Sequence, residues 1–93
     1  MGAYRVAITD RAKKDLVIIR KSGRKSTIRK IDRIFLELSE HPYHGTGHPE
    51  PLRYLSGNIW SRRLDKKNRL RYIVQEDVVI VTVVSVLGHY DDK

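Results

Sequence analysis

Between Tyr4 and Ile8 the residues Tyr4-Arg5-Val6-Ala7-Ile8 alternate at period two, which predicts an opening strand. Thr9 and Asp10 follow, and either can cap a helix by accepting a bond from an unpartnered first-turn N–H. The spacing then becomes helical. Ala12, Leu16 and Ile19 share one face of a first helix predicted from Asp10 to Lys21. Asp10 at its start and Arg20 and Lys21 at its end suit the helix dipole, and Gly23 offers a left-handed stop. A second helix is predicted from Ser26 to Ser39. Its apolar stripe is Ile28, Ile31, Ile34, Phe35 and Leu38, with Arg29, Lys30, Asp32, Arg33 and Glu37 turned to water. The tight connection makes the two helices a hairpin.

Periodicity stops at His41-Pro42-Tyr43-His44-Gly45-Thr46-Gly47-His48-Pro49, which reads as an irregular loop leading into Glu50. Its three histidines lack a helical i, i+4 pair and have no cysteine beside them, so they are assigned to the loop rather than to a metal. Three strands are predicted beyond it, Ile59 to Asp65, Arg69 to Gln75 and Val78 to Leu87, with polar turns at Lys66-Lys67-Asn68 and Glu76-Asp77. This is an antiparallel meander. A three-residue turn with Asn68 left-handed pairs Asp65 with Arg69, Leu64 with Leu70 and Arg63 with Arg71. Trp60, Leu64, Leu70, Tyr72 and Val74 then face the helices, and Ser61, Arg63, Arg69 and Arg71 lie together on the open face. The run from Val78 to Leu87 is β-branched on both parities and belongs inside the sheet. The expected architecture is α+β: an N-terminal strand, a helix hairpin and a three-stranded meander, with both helices on one sheet face.

Ninety-three residues suit a single domain spanning 1–93. The absence of cysteine excludes disulfides, thiolate catalysis and cysteine-ligated zinc, and fits a reducing cytoplasm. No apolar run reaches the length of a signal sequence or a membrane span, so a soluble cytoplasmic protein is expected. The net charge of +8 predicts attraction to polyanions, with a strong salt dependence. Charge alone names no chemistry. Glu50, the arginines around Trp60, and His89 together supply a proton acceptor, a clamp for phosphate charge and a proton donor, the parts that metal-free phosphodiester cleavage requires.

Several motifs occur in order: Pro49-Glu50-Pro51-Leu52-Arg53, Leu55-Ser56-Gly57, Trp60-Ser61-Arg62-Arg63, Asn68-Arg69-Leu70-Arg71-Tyr72 and His89-Tyr90. Together they resemble the YoeB/Txe-type toxins of the RelE superfamily. The resemblance implies a toxin of a type II toxin-antitoxin system: an mRNA endonuclease acting in the ribosomal decoding site and neutralised by an antitoxin. It implies Glu50 as the general base on the ribose 2′-hydroxyl and His89 as the acid for the leaving 5′-oxygen. Arg63 and Arg69 would hold the phosphate and Tyr90 would orient the substrate. Arg53, Arg62, Arg71, Lys66 and Lys67 are the further RNA- or phosphate-binding candidates. The family usually has lysine where this chain has Arg53, and one aromatic residue where Asn58-Ile59 stand.

The resemblance implies neither metal nor organic cofactor. Its implied partners are mRNA and the ribosome, a cognate acidic antitoxin that wraps the basic surface, and a second copy docked through the helices; no membrane is involved. Two other readings stay open. One is a non-catalytic basic domain that blocks translation by occupancy; the other is a non-toxic relative that binds only an antitoxin or DNA.

Overall fold

The computed structural model describes residues 3–53 and 55–87. Strand β1 (Arg5–Ile8) leads into helix α1 (Asp10–Ser22) and helix α2 (Lys25–Glu40), followed by strands β2 (Glu50–Pro51), β3 (Ile59–Arg63), β4 (Arg69–Gln75) and β5 (Ile80–Ser85). The sheet is mixed, in the order β1-β5-β4-β3-β2. β3, β4 and β5 form the expected antiparallel meander, and β5 lies inside the sheet as its two-sided β-branching requires. β1 closes the far edge parallel to β5, a pairing made possible by the long crossover through the helices and the meander.

Local chemistry sets the helix ends. Thr9 caps α1, its hydroxyl oxygen accepting from Ala12 N–H, and Gly23 ends it at φ 76. Both helices lie on one sheet face. Ala12 and Ile19 of α1 and Ile31, Ile34 and Leu38 of α2 pack with Leu70, Tyr72, Val74, Val81 and Val83 in a single core cluster. Trp60 is half-buried at the edge of that core, packed against Tyr43 with ring centroids 5.0 Å apart.

Four features differ from the sequence expectation. The β3–β4 pairing is Arg63 with Arg69, Arg62 with Leu70 and Ser61 with Arg71, two residues away from the anticipated register. The cause is Asp65, whose carboxylate accepts from Lys67 N–H at 2.8 Å and Asn68 N–H at 2.7 Å, drawing it out of the strand and into the turn. Because the shift is even, every side chain keeps its face. Glu50 lies in a short edge strand, where the sequence pattern predicts none. β5 starts at Ile80 rather than Val78, because residues 76–79 form the preceding turn with Val79 at φ 55. Glu37 does not face water, for the reason given below.

Candidate active site

The helix-free face of the sheet is built in cross-strand rows. β2 pairs with β3 so that Glu50 lies opposite Ser61, and β3 pairs with β4 so that Ser61 lies opposite Arg71. One row therefore runs Glu50, Ser61, Arg71. The next row, two residues along and about 7 Å away, is Arg63 opposite Arg69. On its other side an apolar row is formed by Ile59 and Ile73, extended by Leu52, whose N–H donates to Ile59 C=O at 2.8 Å. A carboxylate and three guanidiniums thus project from adjacent positions with apolar side chains beside them. Glu50 and Arg63 are exposed, Arg69 and Arg71 half-buried, and Ser61 fully buried.

The loop before β2 positions Glu50. Arg63 N–H donates to Gly47 C=O at 2.7 Å, so the chain already runs beside β3 three residues upstream of Glu50. Gly47 has φ 87, and a Cβ there would stand 2.8 Å from Arg63 O, so no larger residue fits unchanged.

Arg62 was expected to bind RNA; the structure assigns it otherwise. It points to the helix side of β3 and is fully buried. Its Nη1 donates to Glu37 Oε1 at 2.6 Å and to Thr46 O at 3.3 Å. Nη2 donates to the carbonyls of His41 and His44, each at 3.0 Å, and Nε to Tyr72 Oη at 3.2 Å. The whole fork is spent inside the protein, tying the 41–47 loop to α2 and the sheet. Adjacent arginines in one strand necessarily point to opposite faces, and only Arg63 is left for a ligand.

The other candidates are dispersed. Arg53 is exposed beyond the end of β2, and Lys66 and Lys67 are exposed at the tip of the β3–β4 turn, past the Arg63–Arg69 row. His89 and Tyr90 lie outside the described residues. His41 and His44 stack with centroids 4.5 Å apart, and among the described residues no group of three or more His, Asp or Glu side chains is placed to hold a metal ion.

Asp15 was absent from the expected site. It is buried on the apolar face of α1, and its Oδ2 accepts from Val86 N–H at 2.9 Å and Leu87 N–H at 3.1 Å. It therefore holds the chain just where that chain heads toward His89. A carboxylate between Ala12 and Ile19 on a helix's core side is the sequence signal that marks it, since an acid there needs donors.

Three carboxylates away from the row carry clear shifts. Burial pushes the Glu37 carboxyl up, but hydrogen bonds from the Thr46 hydroxyl and N–H and from Arg62, with the Arg62 charge, outweigh it and leave it below the ordinary value. Asp65 shows the same balance, with Asn68, Lys67 and Arg24 winning over burial. Glu76 is lowered by the Tyr43 and Tyr4 hydroxyls that donate to it. The Tyr43 phenol is pushed up to about 12, by burial first and then by Glu76. These groups clamp the loop and turns around the site.

The family model that matches this chain adds to the mixed sheet, helix hairpin and basic face a class, the toxins of bacterial type II toxin-antitoxin systems. Within it the chain belongs to the YoeB-like toxins of bacterial type II toxin-antitoxin systems, whose family model matches residues 8–90. It is 34% identical over 86 residues to Toxin YoeB of Streptomyces coelicolor, covering 92% of this chain and 99% of that one. A YoeB/ParE toxin from Agrobacterium tumefaciens superposes with a TM-score of 0.77 at 25% identity, over 92% of this chain and 99% of that chain. The fold is also that of the YoeB-YefM complex from Staphylococcus aureus, with a TM-score of 0.70 at 23% identity over 94% and 98% of the two chains. No helix among the described residues is long and apolar enough to cross a membrane.

Proposed function

We propose that this toxin cleaves translated mRNA on the ribosome by metal-free acid-base transesterification. The observation that carries the reading is the adjacency of the Glu50-Ser61-Arg71 row and the Arg63-Arg69 row on the helix-free sheet face. Glu50 takes the proton of a ribose 2′-hydroxyl, whose oxygen attacks the adjacent phosphorus. The bond from phosphorus to the 5′-oxygen breaks, leaving a 2′,3′-cyclic phosphate on one fragment and a 5′-hydroxyl on the other. Arg63 and Arg69 face the charge that develops on the phosphoryl oxygens; a guanidinium suits this task because it is permanently charged and offers paired donors. Arg71 lies on β4 two residues from Arg69, in the adjacent row, Arg53 adds charge for the RNA backbone, and the apolar row offers a surface for a base. His89 is the proton donor to the leaving oxygen and Tyr90 orients the substrate; the family match extends through both positions.

The partner of the resting toxin is a cognate antitoxin with an acidic segment. The net charge of +8 favours such a neutraliser, and the related Staphylococcus aureus toxin forms a complex with YefM. The cytoplasm is the place of action.

The test is mapping of mRNA 5′ ends after brief induction, with ribosomes present. Wild type should create new ends at ribosome-positioned codons, and Glu50→Ala and His89→Ala should lose or greatly weaken them. Translation arrest without new ends would replace this reading with that of an occupancy blocker.

A further inference from the structure

Ser61 is fully buried on the face of β3 that carries Arg63, and among the described residues its Oγ has no hydrogen-bond partner. A buried hydroxyl without a partner opposes folding, and such groups survive where function uses them. Its place in the sheet shows what that use is. Ser61 lies directly between Glu50 on β2 and Arg71 on β4, and paired side chains across antiparallel strands have their Cβ atoms only about 5 Å apart. A guanidinium can only donate and a carboxylate only accept, whereas a hydroxyl does both. Because Ser61 is fully covered, a substrate atom does not meet Oγ in this arrangement, and among the described residues its neighbours across the two adjoining strands are Glu50 and Arg71.

We propose that Ser61 is a positioning residue for Glu50: its hydroxyl accepts from Arg71 on one side and donates to the Glu50 carboxylate on the other, holding that carboxylate over the sheet face in the substrate complex. The inference rests on the cleavage reading above and adds to it a residue that does not touch the substrate. Glu50 belongs to an edge strand of two residues, and its side chain is exposed, so the backbone alone gives it little orientation. A hydrogen bond from the neighbouring strand supplies it.

The test compares Ser61→Ala, Ser61→Cys and Ser61→Thr in ribosome-dependent cleavage of a defined mRNA, with a thermal melt of each protein. Ser61→Ala should lower kcat by roughly tenfold or more, the loss expected for one hydrogen bond to a charged group. KM should change little and the melting temperature should hold or rise, because the buried hydroxyl is removed. Ser61→Cys, of the same shape but a weak donor, should behave like Ser61→Ala, and Ser61→Thr should restore kcat. A purely structural serine gives the opposite pattern, lost stability with unchanged kcat. Full-rate cleavage by Ser61→Ala, with wild type active, would overturn this inference alone. Absence of cleavage by wild type would overturn the cleavage reading and this inference with it.

Discussion

Arg62 Nη1 stands 2.6 Å from Glu37 Oε1, and this contact between β3 and α2 separates the roles of two adjacent arginines. Arg62 is buried and fully occupied, whereas Arg63, one residue on, is exposed beside Arg69. Replacing Arg62 with alanine takes from Glu37 its charged partner and from three loop carbonyls their donor. Removing one partner of a buried ion pair costs about 3–5 kcal/mol, a large part of the stability of a small domain. Arg63→Ala should change stability by about 0.5 kcal/mol or less. Urea denaturation of the two variants should therefore differ sharply, and equal midpoints would contradict the division of labour.

The same division predicts the opposite order in activity. Arg63→Ala and Arg69→Ala, measured where both are folded, should each reduce mRNA cleavage by about 10²–10³-fold, the cost of removing one preorganised donor from a developing oxyanion. Arg63→Lys should recover only part of it, because an ammonium cannot present two parallel donors to phosphate. Wild-type rates in both alanine variants would remove the phosphate clamp from the mechanism.

Much of this arrangement was legible in the chain. The period of the apolar residues located both helices, and strand parity sorted Arg63, Arg69 and Arg71 onto one face even though the register was off by two, because an even slip preserves the faces. The slip itself came from Asp65, whose carboxylate bonds the turn's own N–H groups, a local competition that hydrophobic pattern does not display. The Trp60-Ser61-Arg62-Arg63 motif does not distinguish its two arginines, but the parity of Arg62 in β3, shared with Trp60 and Leu64, marks it as inward. Glu50 escaped assignment to a strand because two prolines flank it, and a proline is tolerated in an edge strand of this kind. Asp15 was missed because its partners are backbone N–H groups more than seventy residues away.

Acid should loosen the protein through Glu37. Its folded carboxyl titrates below the ordinary value of 4.5, so its contribution is complete above that value and is lost as pH falls through the lower folded one. Asp65 and Glu76 are shifted in the same direction and add to the trend. Melting temperature should therefore be nearly flat from neutrality to about pH 5 and drop below it. Glu37→Gln should be less stable at neutral pH and show a shallower acid decline. Parallel declines in the two proteins would assign the acid sensitivity elsewhere.

Gly47 offers a test of how the loop sets Glu50. At φ 87, with Arg63 O only 2.8 Å from where a Cβ would stand, Gly47→Ala has to displace the backbone that runs beside β3. The strain of a left-handed non-glycine residue is about 1–2 kcal/mol before that clash is counted. The variant should melt lower and cleave more slowly than its lost stability explains, because the displacement moves Glu50 relative to Ser61. Gly23→Ala, at φ 76 with no atom within 4 Å of its Cβ, is the control: similar backbone strain, no clash and unchanged cleavage below its melting temperature.

Asp15 links α1 to the exit from β5. Its carboxylate is 5% exposed and takes both the Val86 and Leu87 N–H groups, while Arg11 approaches it at 3.3 Å from the surface. Alanine at this position orphans two backbone donors, and an unsatisfied buried donor costs about 1–3 kcal/mol. Asparagine can hold both N–H groups on its one oxygen and loses the charge and the Arg11 ion pair, so it should cost less than alanine. Because the tethered residues immediately precede the segment bearing His89, the loss should also reach chemistry: cleavage by Asp15→Asn, assayed well below its melting temperature, should fall through kcat. Hydrogen exchange separates the two effects. Faster exchange at the Val86 and Leu87 amides with protection retained in α2 and β4 would locate the damage at the tether, whereas uniform loss of protection would make Asp15 a residue of global stability only.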